Sequence, residues 1–224
     1  MNRLLTIIAR IFGGLFYPLW IPTYGMLFYC LTFSTRICQL SPLTSAHHLS
    51  TPLLSYSLIA IIGTFFFTGL VPLIAILVMI RRGQVTDLYI TRPQERTMPY
   101  LYTLCGYGFW CYFLYGVLHV PTFFFVSAIG ATLALATVMF INKYWKISAH
   151  LTGLGGLIGG ILSWFLFYHI MPSIGFIAIL LGVALLLMYS RIYVNAHTPL
   201  QVVCGFLLGI IFTFVPNIIL AYAK

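Results

Sequence analysis

Seven apolar segments, at roughly 15–34, 52–80, 100–118, 121–142, 151–169, 173–189 and 201–221, follow one another along the chain. Most approach the ~20 residues needed to cross a hydrocarbon core of about 30 Å. In lipid, backbone N–H and C=O groups must be paired within such a run, which makes it a helix. Charge points the same way. Only 6% of the 224 residues are charged, with eleven Lys and Arg against two acids, whereas soluble domains carry about 25%. So little charge cannot cover a water-facing surface of this size. The expected fold is all-α, a polytopic membrane bundle of about six to seven transmembrane helices forming one integral-membrane domain over residues 1–224.

Pro18 and Pro22 break the first apolar run, so residues 1–14 are expected to form a short helix lying in the membrane interface. The N-terminus has no small-residue cleavage site and reads as a retained segment. A net charge of +9 suggests nucleic acid in a soluble protein. Here no soluble face is large enough to bind a duplex; the expected partners are membrane lipids, and the basic residues are left to orient loops, meet anionic headgroups or hold phosphate. The five cysteines form no CxxC pair and read as small buried hydrophobes. The glycines of "TGLGGLIGG" (152–160) have the small-xxx-small spacing of closely packed membrane helices.

The connections between runs differ in chemistry. Those near 119–121 and 170–172 are tight turns. Those at 81–99, 143–150 and 190–200 are polar, and an even number of crossings separates each from the next, so all three emerge on one side. Nine of the eleven basic residues and both acids, Asp87 and Glu95, fall on that side. Three stretches stand out: "RRGQVTDLYITRPQERTMP" (81–99), "KISAH" (146–150) and "SRIYVNAHTPLQ" (190–201). Together they supply guanidinium forks that match phosphate oxygens, a hydroxyl at Ser148, and two histidines at helix starts. Helix N-termini favour anions, and histidine serves as nucleophile or general acid near neutral pH. The pattern reads as an oxyanion site with histidine chemistry. There is no HExxH and there are too few carboxylates for Mg²⁺, so neither metal nor other cofactor is expected.

The order and spacing of these motifs resemble the type 2 phosphatidic acid phosphatase family, which shares its core with vanadium haloperoxidases. That family carries Lys-x6-Arg-Pro, then Pro-Ser-Gly-His, then Ser-Arg-x5-His-x3-Asp. The resemblance implies that His197 attacks phosphorus to form a phosphohistidine, that His150 protonates the leaving group, and that Arg191, Ser190 and Ser148 hold the phosphate. It also implies a metal-independent hydrolase of lipid phosphates: phosphatidate, a polyprenyl phosphate or a related monoester or pyrophosphate. Two registers fit the first motif. One uses Arg92, which Pro93 follows; the other uses Arg96, with Tyr89 in the lysine position. The lysine is missing in both.

Gln201 stands where the family has an aspartate that orients the nucleophile. A glutamine amide oxygen can hold the imidazole N–H but brings no charge. Asp87 or Glu95 is therefore expected to approach His197 or His150. The alternative is a catalytically impaired relative that binds phosphorylated headgroups or serves as a membrane partner. Orientation is contested: nine basic residues on the site face against Arg36 and Lys224 opposite favour the cytoplasm. Bacterial relatives act on the outer face, and the inner membrane with a periplasmic site is the expectation.

Overall fold

The computed structural model describes residues 3–40 and 53–223, with side chains for 3–30 and 56–223. Lys224 lies outside the described residues. The chain is helical throughout: α1 (Arg3–Leu15), α2 (Ile21–Leu40), α3 (Leu53–Thr64), α4 (Val71–Arg81), α5 (Thr97–Tyr112), α6 (Thr122–Ile141), α7 (Ala149–Phe167), α8 (Ile174–Tyr193) and α9 (Pro199–Tyr222). A π-helical turn, Phe65–Leu70, joins α3 to α4 without a break, and a second, Phe113–Val117, extends α5. Among the described residues five stretches are long and apolar enough to cross a membrane: Tyr56–Arg81, α6, α7, α8 and α9. The protein is an all-α integral membrane bundle. α2 and extended α5 pack beside these spans.

The break expected at Pro18 is real. α1 ends at Leu15 and α2 starts at Ile21, leaving α1 as the short N-terminal helix. Its outer face is apolar and exposed at Leu4, Ile8 and Ile11, while Ala9 and Gly13 are buried. The buried side lies on α8, where the Ser190 hydroxyl donates to the Ala9 carbonyl at 2.8 Å.

α7 is the central helix: 61% of its apolar window is buried, against 22–28% for the other four spans. Lipid tails offer no hydrophobic force between helices, so close approach of small residues holds such a bundle together. The Gly155 backbone faces the Phe206 carbonyl, and Gly209 faces Thr152 and Gly156; a β-carbon at either would lie 2.1 Å from a backbone oxygen. The Thr213 hydroxyl adds a cross-helix bond to the Gly156 carbonyl at 2.9 Å. The start of α9 is thereby clamped to the start of α7, and the Ser148 N–H donates to the Gln201 carbonyl at 3.3 Å.

Candidate active site

All three polar connections reach one cavity of about 710 Å³. Its mouth is lined by Arg10, Arg96, Lys146 and Arg191, with Asp87 the carboxylate among the described lining residues. His150 and His197 face the same space. Below them the walls become apolar.

The last connection explains the spacing between Arg191 and His197. Just past the end of α8, Asn195 has a left-handed φ of 54°, a conformation asparagine tolerates better than most residues. The N–H groups of Ala196 and His197 then fold back onto the Arg191 carbonyl at 3.1 and 3.3 Å. Arginine and histidine therefore meet at one point. α9 starts immediately afterwards with a reciprocal capping box: the Gln201 N–H donates to Thr198 Oγ1, and the Thr198 N–H donates to Gln201 Oε1 at 3.1 Å. This bond fixes the glutamine oxygen, not its NH₂ group, toward the histidine.

His197 Nδ1 lies 3.2 Å from Gln201 Oε1 and 3.1 Å from the Lys146 carbonyl. Both neighbours are acceptors, so Nδ1 carries the proton and Nε2 keeps its lone pair. Burial, reinforced by Arg96 and Lys146, lowers the His197 pKa to about 4, although its bonds to Gln201 and Lys146 oppose this. At neutral pH the ring is uncharged.

Arg96 is 7% exposed and held twice, donating through Nε to the Ile90 carbonyl at 2.9 Å and through Nη1 to Asn142 Oδ1 at 2.8 Å. The Asn142 NH₂ donates to the Val138 carbonyl at 3.0 Å, turning its oxygen toward the guanidinium. Ile90 has a φ of 46°, unfavourable for a β-branched residue and costing roughly 1–3 kcal/mol. The strain lies at the carbonyl that aims Arg96. Arg191 is 6% exposed, with Nε buried and unbonded. Its guanidinium lies 5.8 Å from the Tyr89 ring centroid, and Gly13 leaves the space it occupies.

His150 is wedged between rings, parallel to Tyr89 at 6.4 Å and edge-on to Tyr17 at 5.7 Å. It hydrogen-bonds to the Gly13 backbone, while Nε2 is buried without a partner. Ser148 caps α7 by position, yet its fully buried Oγ makes no bond. Lys146 is also drawn in: burial, then the charges of Arg96 and Arg191, lower its ammonium pKa. Arg96, Lys146 and Arg191 have no carboxylate partner, since the ion pair among the described residues is Arg92–Glu95. Two buried guanidinium groups converging with a half-buried ammonium, beside donors without partners, suit an anion.

Residues 127–223 match the family model described as PAP2 superfamily. The match covers somewhat less than half of the chain, which is similar to that superfamily over these residues. No curated protein and no solved structure matches the chain. The matched segment begins within α6 and contains Ser148, His150, Arg191, His197 and Gln201. Arg10 from α1, with Tyr89 and Arg96 from the connection between α4 and α5, completes the cavity around the matched segment.

Not every expected residue joins it. Between the two first-motif registers, the structure brings Arg96 to the cavity and leaves Arg92 outside, its side chain 67% exposed and paired with Glu95 at 3.4 Å. Glu95 is occupied within its own loop, accepting from the Thr86 N–H and hydroxyl at 2.8 Å. Asp87 reaches the cavity, but its bonds run to Thr91 and Thr86, with Oδ1 buried and unbonded. The carboxylate expected beside a histidine is thus not bonded to one. Ser190 is turned away to Ala9. Conversely, Lys146, Tyr17 and Arg10 were not singled out in advance. Lys146 had a signal, standing first in "KISAH"; Tyr17 and Arg10 had none, because only folding returns α1 to the site.

Proposed function

We propose that the protein is a membrane phosphatase that hydrolyses a lipid phosphate through a phosphohistidine. The observation that carries this reading is His197, neutral and with Nε2 free beside converging unpaired cations. The phosphate is held by Arg96, Arg191, Lys146 and the Ser148 hydroxyl. His197 Nε2 attacks phosphorus as the bond from phosphorus to the lipid oxygen breaks. His150, entering the cycle protonated at Nε2, gives that proton to the leaving oxygen. Water then attacks the phosphohistidine, His150 takes the water's proton, and inorganic phosphate leaves. Gln201 and the Lys146 carbonyl hold the His197 ring throughout.

A lipid substrate is supported by the cavity's form, a charged mouth over apolar walls. The proposed setting is a bacterial inner membrane with the mouth toward the periplasm. Four of the nine basic residues on that face line the site, so they serve the anion and not orientation. Labelling a cysteine placed at exposed Gln94 with a membrane-impermeant reagent tests the side. The activity test is phosphate release from a panel of lipid phosphates in detergent with EDTA, comparing wild type with His197→Ala. EDTA-resistant release that vanishes in the variant is expected. Silence of both proteins would leave only headgroup binding.

A further inference from the structure

The cavity continues well below the histidines. One stripe from each of α2, α5, α6 and α7 extends it into the bundle. From His150 to Gly160 the α7 stripe runs about 15 Å at ~1.5 Å per residue. That is half of a ~30 Å hydrocarbon core.

The threonine and serine hydroxyls that line this shaft have their protons already committed. Thr103 donates to the Pro99 carbonyl, Ser127 to Phe123, Thr152 to Ser148 and Thr213 to Gly156, at 2.7–3.0 Å. A polar solute would need free donors here, and a hydrocarbon needs none. The floor is aromatic. The Tyr29 hydroxyl abuts Gly160, and its ring packs edge-on against Phe124 at 4.8 Å. Beside them Trp110 directs its indole N–H away, to Thr64 at 2.9 Å.

Resting on the lipid-phosphate reading, we infer that the shaft receives one hydrocarbon chain of the substrate, and that Tyr29, Phe124 and Trp110 set the longest chain it holds. The volume agrees: about 710 Å³ suits one medium-sized ligand, here a headgroup with a single tail. The phosphate at the mouth fixes one end, so the floor measures the other. Substrates with one slender tail, alkyl, single-acyl or short prenyl, are favoured over those whose two acyl chains must enter together.

The test uses alkyl phosphates of stepwise increasing chain length, with the full-length protein in lipid nanodiscs. Binding is measured on His197→Ala and kcat/KM on the protein with His197 intact. Affinity is expected to rise about fourfold per methylene and then level off. Phe124→Ala moves the plateau to longer chains; Ala131→Phe, which narrows the shaft above its floor, moves it to shorter ones. The same plateau in all three proteins places the tail outside the bundle and overturns the inference. The two readings fail separately. Length-dependent binding without any phosphate release refutes the hydrolase and leaves the shaft standing, whereas turnover indifferent to both variants refutes the shaft alone.

Discussion

Replacing Gln201 with glutamate adds one negative charge beside His197 while leaving the shape of the side chain unchanged. The position tolerates it: Thr198 followed three residues later by glutamate is itself a capping box, and an acid suits the first turn of a helix. The Nδ1–Oε1 contact is 3.2 Å, which puts the charge centres about 4 Å apart. At an effective dielectric of ~20 the attraction between carboxylate and imidazolium is about 4 kcal/mol, or roughly 3 pKa units. Arg96, Lys146 and Arg191 take up part of this charge, so a shift of about 2 units is the minimum expected. His197 begins at about 4, and the variant should therefore titrate near 6–7. Attack needs the neutral ring, so the acid limb of the kcat/KM profile should move up by the same amount. Above the new limb kcat should rise by about tenfold or more, because the phosphoimidazolium gains a counter-charge. Gln201→Leu is the control and should not raise the limb. An acid limb that moves by less than one unit in Gln201→Glu would show that Gln201 does not govern the histidine.

Lys146→Met should raise KM for a lipid phosphate by about 10- to 100-fold, the worth of one charge-assisted hydrogen bond, with Lys146→Arg recovering most of it; equal KM values would remove Lys146 from the phosphate. Gly209→Ala sets a β-carbon 2.1 Å from the Thr152 carbonyl and should cost about 1–3 kcal/mol of stability, read as a lower melting temperature in detergent. The His197 pKa is lowered on folding, from 6.5 to about 4, so the unfolded chain binds the proton more tightly. Its contribution is complete above pH 6.5 and is lost as the pH falls toward 4, up to about 3 kcal/mol. His197→Gln should flatten that part of the melting-temperature profile.

The helical class, the apolar spans and the common side of the polar connections were all legible in the sequence, because lipid admits so few ways of pairing a backbone. So was the break at Pro18, where a ring replaces an N–H. The spacing of "SRIYVNAH" was visible too, although its cause, a left-handed Asn195, was not. What eluded the sequence was the use of each charge. Arg92 and Arg96 stand four residues apart in one loop, yet one is solvated and the other buried; the difference lies in Asn142 and the Ile90 carbonyl, which receive only Arg96. Glutamine at 201 looks like a defect until the cap at Thr198 is seen to aim its oxygen.

By itself, then, the sequence determined that this chain enters the membrane as helices and carries histidines and cations at one face, since hydropathy and motif spacing are local properties. Only the tertiary structure decided which of them meet. The clamp of α9 on α7 sets His197 near His150, and α1 folds back over Arg191. Four helix stripes coincide as a shaft, because that coincidence depends on how far each helix is turned about its axis, and packing against neighbours fixes that rotation.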